Sequence, residues 1–111
     1  MTATAEKVED FLITNEEDIL LASRSLKAMA HPLRLKILCI LGGSSEVSVQ
    51  DIVEQVGTSQ SNISQHLSIL RDKGILASRK DANKVYYRIG DQKILQLISS
   101  LRDAFCSTGH R

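Results

Sequence analysis

TSQSNISQHLSILRDKGIL, Thr58 to Leu76, keeps apolar side chains at Ile63, Leu67 and Leu70 and small polar ones through most of its first half. The apolar set recurs at helical spacing, so one face of this helix belongs to a core. Gln60, Ser61, Asn62, Ser64 and Gln65 cluster on the first turns and the outer side, left over for something outside the fold. Amides and hydroxyls of this kind bond base edges and phosphates in a DNA major groove. The competing reading is a solvated helix face, since polar first turns are common.

Working outward decides between them. On the N-terminal side, Ser48-Val49-Gln50-Asp51 matches a capping box that opens a short helix carrying Ile52, Val53 and Val56 and closing at Gly57. Thr58 or Ser59 then caps the quoted helix, which runs from about Gln60 to Lys73 with Gly74 behind it. Two short helices joined this way have helix-turn-helix spacing, in which the start of the second helix reads bases. On the C-terminal side the period changes: Ile75 to Lys80 and Lys84 to Ile89, rich in Ile, Val and Tyr around Asp81-Ala82-Asn83, form a β-hairpin. Arg79, Lys80 and Lys84 stand near its tip, suited to flanking phosphate or the minor groove. Tyr86 and Tyr87 alternate, so one packs and the other faces outward. Helix-turn-helix, wing and a basic segment in this order favour DNA binding over a bland surface.

The remaining elements follow from their punctuation. Residues 1–14 read as a loosely held arm, although Phe11, Leu12 and Ile13 are apolar. Asn15 or Thr14, followed by Glu16, Glu17 and Asp18, starts a helix that runs to about Ala30. His31-Pro32 opens a second, LRLKILCIL, apolar on most sides and therefore buried, which stops at Gly42-Gly43. Asp91 caps a last helix in which Ile94, Leu97, Ile98, Leu101 and Phe105 repeat at helical spacing. The expected architecture is mainly α with a small β-hairpin: one winged helix-turn-helix domain over residues 15–107, with a tail at 108–111.

Composition sets the outer limits. The 111 residues suit one domain, and 42% hydrophobic residues fill one small core. A formal charge of +1 decides nothing, but its distribution does: residues 1–18 hold one base against six acids, a net of −5, whereas residues 58–90 hold six bases against two acids, a net of +4. That asymmetry is of the kind nucleic-acid binders use. The acidic start is no signal peptide and no run is long enough to span a membrane, so a cytoplasmic protein with no membrane partner is expected. No activated-nucleophile constellation is visible, and an enzyme is not expected.

AMAHPLRLKILCIL, VSVQDIVEQVGTSQSNISQHLSILRDKGIL and SRKDANKVYYRI together resemble the ArsR/SmtB family of small dimeric bacterial repressors, from about Leu20 to Cys106. The resemblance implies a homodimer through the first and last helices, its two reading helices set for successive major grooves of palindromic double-stranded operator DNA. It implies a DNA-contact set of Ser59, Gln60, Ser61, Asn62, Ser64, Gln65, His66 and Arg71 on the helix, with Arg79, Lys80 and Lys84 on the wing. His66 reads equally as a polar packing residue, and His31 as a helix-start residue.

Many members of that family sense metals through an E-L-C-V-C-D motif; here the matching positions read Glu46-Val47-Ser48-Val49-Gln50-Asp51, without either thiolate. A second family zinc site would need partners for Asp91, but Lys93, Ala104 and Ser107 stand at those positions. No metal and no cofactor are expected. Cys39 in the second helix and Cys106 near the end of the last resemble instead the thiol-based subgroup, whose members link two sulfurs on meeting persulfides or polysulfides. That implies a repressor bound to DNA when reduced and released when Cys39 and Cys106 are joined. Open alternatives are a general redox or peroxide sensor using the same thiols, or a winged-helix interaction module with no inducer. Singly, each cysteine has a plainer reading: Cys39 as filler in an apolar helix, and Cys106 at a helix end whose dipole disfavours thiolate.

Overall fold

In the computed structural model, residues 15–105 are described, and they form five helices and a three-stranded antiparallel sheet. Each helix starts where its side chains satisfy orphan backbone donors. Helix α1 (Glu16–Met29) begins behind Asn15, whose Oδ1 accepts the N–H groups of Glu17 at 2.7 Å and Asp18 at 3.3 Å. Helix α2 (Pro32–Gly42) is capped by His31, whose Nδ1 accepts the Leu33 N–H at 3.1 Å, with Pro32 in the first turn where no N–H is needed. Ser48 caps α3 (Val49–Val56) and Ser59 caps α4 (Gln60–Asp72). Asp91 accepts the Lys93 N–H at 2.7 Å at the start of α5 (Gln92–Phe105).

The sheet differs from a lone hairpin. Strands β2 (Leu76–Asp81) and β3 (Lys84–Ile89) pair from Leu76↔Ile89 to Asp81↔Lys84, and a two-residue strand β1 (Val47–Ser48) adds to the far side of β3 through Val47↔Tyr87 and Ser48↔Tyr86. Two residues are too few to show alternation, and Ser48 was already spoken for as a helix cap, so the sequence pattern hid β1. Ser48 does both jobs: it is buried in the sheet and its Oγ accepts the Asp51 N–H at 3.2 Å.

The core lies where α2, α3 and α4 meet the sheet. Ile37, Leu38 and Leu41 of α2, Ile52 of α3, and Ile63, Leu67 and Leu70 of α4 are fully buried, with Ile75 beside them. The α2 helix is buried on this face only; Leu35 and Lys36 are exposed and Cys39 is half-buried, so the expectation of burial on most sides is corrected. The stripe of α5 also splits, with Ile98 inside while Leu97 is 37% and Phe105 80% exposed. At the crossing of α2 and α5, Gly42 permits the approach: a Cβ there would stand 3.1 Å from the Ile98 side chain.

Asp81 pairs with Lys84, so the wing turns through Ala82 and Asn83 alone, and Ala82 takes a φ of 57°. An L-residue is strained there, where glycine is not. Ala82→Gly is expected to stabilise the fold by about 0.5–1 kcal/mol, read as a higher urea midpoint at unchanged slope.

Candidate nucleic-acid interface

Gly57, at φ 85°, ends α3 in the left-handed conformation and lets the chain turn within two residues into the Ser59 cap of α4. With Ile63, Leu67 and Leu70 locked in the core, the opposite face of α4 is fixed outward. Gln60, Ser61, Ser64 and Gln65 are exposed on it. Gln60 and Ser64 line a groove of about 210 Å³ whose other wall is the wing, with Asn83 and Lys84, and which also includes Gln50 of α3. Amides, a hydroxyl and an ammonium group thus converge on one concave surface. Gln50 and Asn83 were absent from the sequence-derived set; Gln50 stood inside a capping motif and Asn83 inside a turn, and each assignment masked a second use.

The other expected contacts are placed variously. Ser59 is exposed but engaged as a cap, accepting the Asn62 N–H at 3.1 Å, and the Asn62 side chain donates to Thr58 Oγ1 at 3.3 Å, so both stiffen the start of α4. Arg71 is exposed near the far end of the helix, 3.8 Å from Asp72. Lys80 is exposed near the wing tip.

Two of the set are held by protein partners. Arg79 makes a two-pronged pair with Glu46, at 2.8 and 2.9 Å, while its guanidinium lies 4.7 Å over the Tyr86 ring and 3.7 Å from Asp81. The hydrogen bonds from Arg79 hold the Glu46 carboxyl below its ordinary range, and those to Glu46 push Arg79 up. Arg79 therefore braces the wing against the segment entering β1. Of the two tyrosines, Tyr87 packs inward and Tyr86 lies under this guanidinium.

His66 is likewise turned inward. Its Nδ1 lies 3.3 Å from Arg34 Nη1, its ring centroid is 4.7 Å from that of His31, and Arg34 Nε donates to the Ala28 carbonyl at 2.6 Å. This joint ties the end of α1 and the start of α2 to the reading helix. Burial, then the charges of His31 and Arg34, lower the His66 pKa below the ordinary histidine value.

On the opposite side of α2, Cys39 lines an apolar cleft of about 510 Å³ with Leu26 and Met29 of α1, Leu35, and Leu101 and Phe105 of α5. Cys106 lies outside the described residues. Ile19, Leu20, Leu21 and Leu26 leave an apolar strip exposed on α1. Among the described residues no group of three or more His, Cys, Asp or Glu is placed to hold a metal ion, and no helix is long and apolar enough to cross a membrane.

Comparison with known proteins agrees with this geometry. The pattern of bacterial regulatory proteins of the arsR family matches residues 31–78. The HTH-type transcriptional regulator YgaV of Escherichia coli (strain K12) is 40% identical over 85 residues, which is 77% of this chain and 86% of that protein. The structure of HlyU from Vibrio cholerae N16961 is similar with a TM-score of 0.80 at 36% identity, over 84% of this chain and 100% of the other. The transcriptional repressor BigR from Xylella fastidiosa gives a TM-score of 0.76 at 31% identity, over 95% and 99% of the two chains.

Because the folded chain resists protonating His66, the unfolded chain binds more protons just below the ordinary histidine value of 6.5, and stability falls as pH drops through that window. His66→Gln keeps an acceptor for Arg34 but cannot titrate. Its urea midpoint is expected to fall less than that of the parent between about pH 7.5 and about pH 5.5, above the carboxylate range.

Proposed function

The chain belongs to the arsR family of bacterial regulatory proteins and is a transcriptional regulator, not an enzyme; from that premise we propose that it is a dithiol-regulated repressor of operator DNA. In this reading a homodimer, joined through the apolar strips of α1 and α5, presents two copies of α4 to successive major grooves about 34–36 Å apart. Gln60, Ser61, Ser64 and Gln65 meet base edges, with Lys80 and Lys84 on flanking phosphates. The groove shared by Gln60, Ser64, Asn83 and Lys84 supports this, because it gathers base-reading and phosphate-binding groups on one face.

Release is by linkage of Cys39 to Cys106. The observation that carries it is that Cys39 lines one wall of a cleft whose other wall includes Phe105, the residue immediately before Cys106. Both thiols lose hydrogen as two sulfane sulfur atoms are consumed, one bridging the cysteines and one leaving as hydrogen sulfide. The bridge fastens α2 to the end of α5. Since α2 also meets α4 through Arg34 and His66, a shift at the dimer helices is passed to the reading helices.

DNA fragments selected for binding to the reduced protein test this. Affinity is expected to fall steeply with salt, and Lys84→Ala to weaken binding while reducing the log–log salt slope by about 1. Polysulfide is expected to lower affinity about 5–150-fold, the range of a coupling of about 1–3 kcal/mol, while the Cys39→Ser, Cys106→Ser protein keeps its affinity. A double variant still released by polysulfide overturns the thiol mechanism. Release of the parent by hydrogen peroxide to the same extent assigns a general redox switch instead.

A further inference from the structure

A ligand made of phosphates repels carboxylates, yet Glu46 stands two residues before Ser48, the cap that opens the helix-turn-helix. What Glu46 does there is hold Arg79. Hydrogen bonds of 2.8 and 2.9 Å run from Nε and Nη2 of Arg79 to the two carboxylate oxygens, a planar fork that a guanidinium makes and an ammonium cannot. Arg79 belongs to β2, which lies across β3 from β1 in the sheet order β1-β3-β2. To reach Glu46 its side chain passes over Tyr86 of β3, with the guanidinium carbon 4.7 Å from the ring centroid. Tyr86 is the register partner of Arg79 on one side and of Ser48 on the other. Arg79 Nη1 also lies 3.7 Å from Asp81, which pairs with Lys84 at the wing turn. One side chain thus ties the wing turn, the middle strand and the segment that leads into α3.

Asn83 and Lys84 form the wing wall of the groove whose other wall carries Gln60 and Ser64. We propose that Glu46 and Arg79 are positioning residues for DNA binding, with the fork setting the width of that groove, so that a carboxylate raises affinity for a polyanion through the geometry it holds. This rests on the DNA-binding reading of the groove, and it takes Arg79 out of the set of phosphate contacts. The two roles for Arg79 give opposite signs to one substitution. As a phosphate contact, Arg79 would be released by loss of the Glu46 charge, an anion would be deleted with it, and affinity would rise on both counts. As half of a brace, Arg79 loses its anchor, and affinity falls although the protein becomes more positive.

Fluorescence anisotropy with a duplex selected for binding to the reduced parent, at one fixed salt concentration, tests the proposal. Glu46→Gln is expected to weaken binding about three- to fivefold, and Arg79→Lys, which keeps the charge but loses the two-pronged geometry, by a similar factor. Arg79→Gln is also expected to bind more weakly than the parent, and to lose nothing more when Glu46→Gln is added, because the pair acts as a unit. In the free Glu46→Gln protein, hydrogen exchange is expected to quicken at the β2 and β3 amides while the α4 amides and the unfolding midpoint keep their parent values. Equal or tighter binding by Glu46→Gln overturns the proposal and returns Arg79 to the phosphate contacts. Full parent affinity in Arg79→Lys, additive losses in the pair, or unchanged exchange in the wing overturns it as well, and each leaves the DNA-binding reading standing. A parent that binds no selected duplex overturns that reading and this proposal together.

Discussion

One face of α2 holds the molecule together. Ile37, Leu38 and Leu41 point from it into a space enclosed by α1, α3, α4, α5 and β3, and all three are fully buried. Removing such side chains from water stabilises the fold by about 1.5–3 kcal/mol each, so this short ridge supplies a large share of what a small core can provide. Every functional element is positioned by leaning on it. Ile63 and Leu67 of α4, Tyr87 of the wing and Ile98 of α5 belong to the same buried cluster as this ridge. The remaining surface of α2 is turned to other neighbours: its N-terminal turn carries Arg34 to His66 of α4, and its outer side carries Cys39 into the cleft that α5 also lines.

This arrangement makes α2 a rigid shaft with different attachments at each end. At one end, Arg34 bridges the Ala28 carbonyl and the His66 ring. At the other, Gly42 allows α5 to cross at close range through Ile98. Anything that alters the crossing therefore acts on the same body that sets the angle of α4. Densely packed cores transmit such displacements because they do not compress.

Much of this was legible in the residues. Caps at Ser48 and Asp91, the pairs Asn15 or Thr14 and Thr58 or Ser59, and the stop at Gly57 placed the helix starts to within a residue, because each is a local rule with a local cause. The buried triplet of α4 was visible from its spacing, and so was the outward polar set. What stayed hidden depended on partners far away in the chain. Arg79 looks like a phosphate contact until Glu46, 33 residues earlier, is brought against it, and His66 looks like one until Arg34 is. The exposed face of α2 was hidden for a related reason: apolar residues around a helix indicate burial, but cannot say whether the covering belongs to the same chain. Strand β1 has only two residues and exists because β3 offers it an edge.

The Glu46–Arg79 fork gives the wing an unusual sensitivity. Both groups are partly open to solvent, so mobile ions compete for each of them. The brace that holds the wing beside α4 weakens under the same conditions that weaken attraction to a polyanion. In the proposed complex with DNA, ionic strength then acts along two routes, by displacing counterions at the contact surface and by loosening the wing. A count of phosphates taken from the steepness of the response would come out too high, with the excess measuring the stiffness of the wing.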